Sequence, residues 1–286
     1  MSDKEPKVGK QKLIVAFQGE RGAYSESAVY TFFGEDLEVK PCRDLNEVFE
    51  SVKKLESQFG MVPVENSLEG SVNQTYDLFL SHNLKVSGEV IIRISHCLIA
   101  NPNTSLEAVK TVYSHPQALA QSRSFLERLG CELIPTYDTA GSVKMLKEKG
   151  LRDAAAVASE KAAELYGMKI LAREIEDTPT NYTRFFVISE KDAPLTGRDK
   201  TSIIFAATHK PGALYRALGE FEKRNINLTK IESRPTKQKP WEYNFYLDFE
   251  GHRTEENCAE ALKALEKKAA FLKILGSYAR AVQPHV

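Results

Sequence analysis

The chain has no charge of either sign to spare. Its 286 residues carry 39 Lys+Arg against 39 Asp+Glu, a net charge of +0. Binding to nucleic acid or to an anionic membrane surface calls for a basic excess, so neither is an expected partner, and any anion must be held by local donors. Long hydrophobic runs are missing too. No stretch approaches the roughly 20 apolar residues of a membrane span, and the opening Met1-Ser2-Asp3-Lys4-Glu5 lacks the apolar segment of a secretory signal. Cysteine is sparse: Cys42, Cys97, Cys131 and Cys258 are scattered with no CxxC pair, which argues against a disulfide scaffold or a thiolate zinc site. The six histidines show no HExxH or comparable spacing, so no metal is expected. Neither GxGxxG nor GxxxxGK[ST] occurs, so no nucleotide cofactor is expected. A reducing, cytoplasmic setting fits this composition, or a plastid if a transit peptide has been removed.

With 42% hydrophobic and 27% charged residues, the chain can bury full cores and has room for two domains. Residues 1–11 are polar and read as a disordered tail. From residue 12 to 189, short apolar runs alternate with helical patterns. Leu13–Phe17 reads as a strand, followed by a helix near Ser25–Phe33; a capping-box spacing at Asp44–Glu47 starts a second helix. Further strands are expected at 60–64, at 91–100 as one long strand, and at 111–113, 132–135 and 154–158, with another capping box at Thr104–Glu107. Such alternation predicts α/β layers with a largely parallel sheet. Residues 190–200 (EKDAPLTGRDK) break the pattern with proline, glycine and charge, and read as a linker. Beyond them strands at 201–207, 228–234, 241–249 and 271–279 interleave with helices at 211–224 and 254–268, giving the β-α-β-β-α-β order of a ferredoxin-like domain over 201–281.

The candidate functional residues cluster where strands end, the usual place for a ligand in an α/β domain. Asn181-Tyr182-Thr183-Arg184 precedes the apolar run Phe185–Ile188. The alternative for this segment is a strand start in which Thr183 caps a turn and Arg184 lies on the surface. Gly19–Ser25 is a turn with two glycines before a helix start, where free N–H groups attract carboxylates; Ser25 could equally be an N-cap. Val64–Val72 packs Glu65, Asn66 and Ser67 into one loop, against the alternative of a self-satisfied turn. Tyr113–Gln121 places Pro116 in a first helical turn and sets Gln117 and Gln121 on one face; His115, with no partner in sequence, reads as a capping residue first and a base second. Asp138–Ser142 is a fourth capped start. Without a carboxylate pair or an activated cysteine, the cleft they suggest would work by positioning, hydrogen-bond donation and one weak acid.

These segments, GERGAYS (19–25), VENSLEGSV (64–72), SHPQALAQ (114–121), DTAGS (138–142), NYTRF (181–185), PGALY (211–215) and INLTKIESRP (226–235), occur in the order of a known family. The chain resembles prephenate dehydratase fused to a C-terminal ACT regulatory domain, from about Lys12 to Arg280. The resemblance implies a catalytic region of two α/β lobes around a cleft, like a periplasmic binding protein, which needs no cofactor to convert prephenate to phenylpyruvate with loss of CO2 and water. It implies Thr183 as the principal catalytic residue, with Asn66, Ser114 and Gln121. Substrate binding would fall to Tyr24, Ser25, Glu65, Ser67, Thr139, Ala140, Gly141, Arg184 and Phe185, with Arg184 holding a carboxylate. Phenylalanine would bind the ACT domain through Gly212, Ala213, Leu214, Asn227, Leu228, Glu232, Ser233, Arg234 and Pro235, between subunits of a homodimer or homotetramer. The AFQGERGAYSE form (16–26) is also similar to plant-type arogenate dehydratases, which makes arogenate the alternative substrate. A non-catalytic amino-acid sensor is the reading from a different class.

Overall fold

The computed structural model describes residues 12–208, 210–236 and 241–282; the tail expected at 1–11 lies outside them. The chain folds into two α/β lobes and a third, antiparallel unit. The first lobe is built on a mixed sheet in the order Glu38–Cys42, Ile14–Gln18, Phe59–Asn66, Tyr182–Ser189, Lys85–Arg93, with Gly70–Ser71 paired to Phe59–Asn66. The second lobe's sheet runs Lys169–Ala172, Cys97–Ala100, Ala154–Ala158, Thr111–Ser114, Glu132–Pro135.

Both sheets are mixed where a largely parallel one was expected. The chain passes from the first lobe to the second between Arg93 and Cys97 and returns between Ala172 and Tyr182. Tyr182–Ser189 and Cys97–Ala100, the strands that receive the two crossings, pair antiparallel to their neighbours. The single long strand expected at 91–100 is therefore two strands in different sheets, broken at Ile94–His96. The run is interrupted by Arg93, Ser95 and His96 but holds no Gly or Pro, so it carries no turn signal at the crossing.

Local signals set the helix starts unevenly. Asp44 caps Leu45–Lys53 by accepting from the Glu47 amide at 2.9 Å, and the Glu47 carboxylate in turn accepts from the Arg43 amide at 2.8 Å. The box expected at Thr104–Glu107 does not form: Thr104 Oγ1 donates to the Arg152 carbonyl instead, and only the short 3-10 turn Leu106–Ala108 follows. Tyr24–Phe33 is preceded by Ala23 with no side-chain cap, so Ser25 lies inside the helix.

The third unit has sheet order Leu228–Pro235, Tyr243–Glu250, Asp199–Ala207, Ala269–Ala279, with helices Ala213–Glu222 and Glu256–Glu266. Its first strand starts at Asp199, so the last two residues read as linker are sheet. This unit has its own core around Phe205, Phe221 and Phe249. A second apolar cluster joins it to the first lobe: Phe49, Phe79 and Phe186 pack with Ile204, Tyr246, Leu275 and Tyr278. The approach is close. A Cβ at Gly276 would collide with the carbonyl oxygen of Val86. The third unit is thus packed onto the first lobe through shared core, with Tyr182–Ser189 near the centre of the molecule.

Candidate active site

Side chains alternate along a strand, so Thr183 and Phe185 face one way from Tyr182–Ser189 and Arg184 the other. On the Thr183 side lies a cavity of about 120 Å3. The first lobe lines it with Tyr24, Asn66, Thr183 and Phe185, the second with His115, Gln117, Gln121 and Thr139, and the crossing with Ile94 and His96. Among the described residues that line it there is no Asp, Glu, Lys or Arg.

The ladder register places Asn66 opposite Thr183, and the two side chains meet: Asn66 Nδ2 donates to Thr183 Oγ1 at 3.0 Å. The orientation of this amide is fixed by its other end. Asn66 Oδ1 accepts from the backbone N–H groups of Leu68 and Glu69, both at 3.0 Å, the local turn an Asn favours. Thr183 Oγ1 is thereby occupied as an acceptor, and its own proton has no acceptor among the described residues. That leaves a buried hydroxyl, 9% exposed, free to donate into the cavity. Asn66 Nδ2 also donates to Asn181 Oδ1 at 2.7 Å, and Asn181 Nδ2 donates to Gln121 Oε1 at 3.0 Å.

Around this row sit groups whose ionisation burial opposes. Burial pushes the Tyr24 phenol well above its ordinary pKa and the His96 imidazole below its own, so both are neutral near pH 7. The Tyr24 hydroxyl lies 2.6 Å from the Ser95 carbonyl and 2.8 Å from His96 Nδ1. Asp138, raised by burial, caps Thr139–Lys149 by accepting from the Gly141 amide at 2.6 Å. His115 caps its helix, its Nδ1 accepting from the Gln117 amide at 3.3 Å. Among the described residues the lining is made of amides, hydroxyls, imidazoles and apolar groups, with no carboxylate, ammonium or guanidinium.

Several residues expected in the cleft lie elsewhere. Arg184 does not face it. The guanidinium is 8% exposed and sits in the seam with the third unit, donating from Nε to Glu89 at 2.6 Å, from Nη1 to Asp248 at 2.6 Å and from Nη2 to the Tyr278 hydroxyl at 3.0 Å. Burial opposes its charge, but Asp248, Tyr278 and Glu89 together hold its pKa well above the ordinary value. Lys200 adds a second cation 3.0 Å from Glu89. Glu65 follows the same alternation onto the seam, where it accepts from Lys230 at 2.8 Å. Ser114 is buried and donates to the Val157 carbonyl at 2.6 Å, inside the second lobe. Ser25, Ser67, Ala140 and Gly141 do not line the cavity; Ser67 bonds the Thr180 carbonyl and the Tyr182 amide. Sequence reasoning missed His96, the bonding of Asn181, and the seam partners Glu89, Lys200, Asp248 and Tyr278. The only mark His96 left was a polar residue interrupting an apolar run.

In the third unit a cavity of about 250 Å3 is lined by Ala213, Leu214, Trp241, Tyr243 and Phe245 among others. Gly212 precedes the helix with φ +75, where a Cβ would also meet the Arg216 guanidinium. Asn227, Leu228, Glu232, Ser233, Arg234 and Pro235 do not line this cavity. Leu228–Pro235 is an edge strand; from it Glu232 accepts from Ser71 at 3.2 Å, and Arg234 Nε is buried with no partner among the described residues.

The family model for prephenate dehydratase matches residues 15–193, and that for the ACT domain matches residues 201–267. A bifunctional chorismate mutase/prephenate dehydratase of Aquifex aeolicus is 46% identical over 275 residues, covering 95% of this chain and 75% of that protein. The chloroplastic arogenate dehydratase/prephenate dehydratase 2 of Arabidopsis thaliana is also 46% identical, over 278 residues, covering 93% of this chain and 73% of that one. The solved structure of a prephenate dehydratase from Arthrobacter aurescens in complex with L-Phe superposes with a TM-score of 0.87 at 34% identity, over 96% of this chain and 92% of that chain.

Proposed function

This chain belongs to the prephenate dehydratase family and carries an ACT domain behind its dehydratase region, and from that premise we propose how its cleft carries out the reaction. The enzyme is a lyase that takes prephenate to phenylpyruvate. The ring C–carboxylate bond breaks and releases CO2; its electron pair enters the ring as the C–O bond at the opposite carbon breaks. The departing hydroxide takes up a proton and leaves as water. Aromatisation drives both cleavages, so the protein must hold the ring and ease the departure of hydroxide.

Thr183 is the residue for that second task. The observation that carries the reading is the Asn66 amide 3.0 Å from Thr183 Oγ1, which occupies one lone pair of the oxygen and leaves the hydroxyl proton to be offered to a ligand. A neutral hydroxyl aimed by an amide in a water-poor site strengthens its bond as negative charge develops on the leaving oxygen. Gln121 supplies a further donor to the substrate's carboxylates, while the single proton of Tyr24 is already engaged with the Ser95 carbonyl and His96 Nδ1. With no lysine or arginine lining the cavity among the described residues, the two carboxylates meet neutral donors, which favours release of one of them as CO2.

Arogenate differs from prephenate by an amino group in place of a keto oxygen, and equal identity to a bacterial and a plant relative does not rank the two. The substrate preference is read directly from kcat/KM on each. Phenylalanine is the effector, and we assign it to the ACT domain. The expected contacts divide between the cavity lined by Ala213 and Leu214 and the edge strand Leu228–Pro235, and the outer edge of that strand is unpaired among the described residues. A second copy seated on the edge would bring the two sets together, which supports a homodimer or a dimer of dimers. Among the described residues no helix is long and apolar enough to cross a membrane. The four cysteines are free thiols, in keeping with the cytoplasmic or plastid setting inferred from the sequence.

One assay tests the whole reading: purified protein with prephenate, with and without phenylalanine. Phenylpyruvate should form, and added phenylalanine should slow it. Glu232→Ala or Arg234→Ala should weaken that inhibition while leaving the uninhibited rate near its starting value. Absence of product, or an unchanged rate with phenylalanine, would overturn the catalytic or the regulatory half respectively.

A further inference from the structure

Gln121 carries the one loose end of the cavity. Its Nε2 is buried and has no hydrogen-bond partner among the described residues, an arrangement that is costly unless a ligand completes it. The direction of this amide cannot be read from Gln121 alone, because oxygen and nitrogen look alike in a side-chain amide. The neighbours decide it. Backbone N–H groups only donate, so the atom of Asn66 facing Leu68 N and Glu69 N must be Oδ1. The other end is then Nδ2, and the Asn181 atom it meets at 2.7 Å must be an oxygen. Asn181 consequently turns its Nδ2 to Gln121, and the Gln121 atom at 3.0 Å must also be an oxygen. Three amides are set head to tail from two backbone N–H groups, and the last one ends in a free –NH2.

A second support arrives from the other side. His96 Nε2 lies 3.0 Å from the same Gln121 Oε1, so it must carry a proton. With Nε2 protonated and the ring neutral, Nδ1 accepts, so the single Tyr24 proton is shared between Nδ1 at 2.8 Å and the Ser95 carbonyl at 2.6 Å; the ring is also held, through its backbone amide, by Glu176 at 2.8 Å. Gln121 Oε1 thus receives two donors, both of its lone pairs are used, and rotation of the amide would break both bonds at once.

We propose that Asn181 and His96 are positioning residues that hold Gln121 from two sides, so that its Nε2 rather than its oxygen is presented to the bound substrate. The inference rests on the dehydratase reading for what occupies the cavity, and on the bond geometry alone for the direction of the amide. A donor in that position attracts a substrate carboxylate; an acceptor would repel it. This gives the two residues an effect on turnover although neither needs to touch the reacting atoms.

The test separates action through Gln121 from simple structural support. Asn181→Asp is nearly isosteric, still accepts from Asn66, and can no longer donate to Gln121; the amide should turn over and kcat/KM should fall about 10- to 100-fold, the loss of one hydrogen bond to a charged group. His96→Leu should fall by a similar factor. His96→Gln, which can supply a donor where Nε2 stood, should recover most of that loss. In a Gln121→Leu background Asn181→Asp should cost less than about threefold further, because its target is gone. Equal losses with and without Gln121 would overturn the proposal.

A readout independent of turnover is the tautomer of His96 in nitrogen-15-labelled protein by long-range proton–nitrogen NMR. The wild type should show the Nε2–H form, and Asn181→Asp should lose it. An Nδ1–H form in the wild type would overturn the proposal whatever the kinetics. If the wild type fails to turn over prephenate, the dehydratase reading falls, and the tautomer measurement still decides the relay.

Discussion

The cleft and the seam with the ACT domain lie on opposite faces of one strand, Tyr182–Ser189, and they are built from opposite chemistry. The cleft face presents Thr183 among amides and neutral rings. The seam face presents Arg184 to Glu89 and Asp248, with Lys200 beside them. In the seam Arg184, Lys200 and Lys230 meet Glu65, Glu89 and Asp248, so charge can be buried because it cancels locally. In the cleft the ligand brings its own negative charge. Fixed cations there would hold both carboxylates in place, whereas neutral donors of fixed direction can recognise the ligand without opposing decarboxylation. Consecutive residues serve the two regions, so a shift of the strand that loosened one would be felt in the other. That is a short mechanical path between the ACT domain and the Thr183 hydroxyl.

The largest effect should come from the cleft face. Thr183→Ala removes a hydroxyl whose proton has no acceptor among the described residues, and kcat should fall about 10^2- to 10^4-fold, the usual worth of a positioned proton donor. Far-ultraviolet circular dichroism and Tm should stay close to wild type, because the lost group carries no other bond than the one it accepts from Asn66. Turnover at the wild-type rate would remove Thr183 from the mechanism and with it half of the contrast.

The seam face should respond in stability. Arg184→Met strands Glu89 and Asp248 beside a single remaining cation, and urea unfolding should show a loss of about 3–5 kcal/mol. Adding Asp248→Asn leaves Glu89 paired with Lys200, restores the local balance, and should return a substantial part of that loss, so the two changes will not be additive. KM for prephenate should move by less than about threefold in whichever of these proteins stays folded. A rise of about 100-fold in KM would put the guanidinium in the cleft after all, and the two faces would not be distinct.

How much of this was legible in the sequence follows the same division. The β-α-β-β-α-β order of the ACT domain was readable because each element keeps its own period over seven or more residues. Thr183 and Asn66 were readable as polar residues at strand ends. Arg184 was not, because alternation can say that it faces away from Thr183 but nothing local says that another domain covers that side. Asp199 and Lys200 were read as part of a solvated linker, yet both are buried: Asp199 accepts from Thr196 and Gly197 close by, and Lys200 pairs with the distant Glu89, which no local pattern announces. Ile91–Ala100 read as one strand because hydrophobicity does not distinguish a strand that continues from one that changes sheet. His96 and Asn181 acquire their meaning only from Gln121, which lies 25 residues from His96 and 60 from Asn181.

A charged cluster outside the seam sharpens the comparison, and there the smallest effect is expected. Glu220, on the ACT helix Ala213–Glu222, is bonded by Lys268, by Arg224 at 2.9 Å and by Lys223 at 3.1 Å. Lys268 first, then Arg224 and Lys223, hold its carboxyl down at about 2. The unfolded carboxyl titrates near 4.3. A pKa depressed in the folded state stabilises above the unfolded value, and the contribution disappears as pH falls through the folded one. Its cations are partly exposed, so solvent screening keeps the contribution small. Glu220→Gln should therefore lower Tm by about 1–3 °C above pH 5, the two proteins should converge as pH approaches 2, and kcat should not change. A loss of turnover in this variant would mean that charge anywhere in the ACT domain reaches the cleft, and the seam would lose its special standing; a thermal shift that grew as pH fell would reverse the assigned sign.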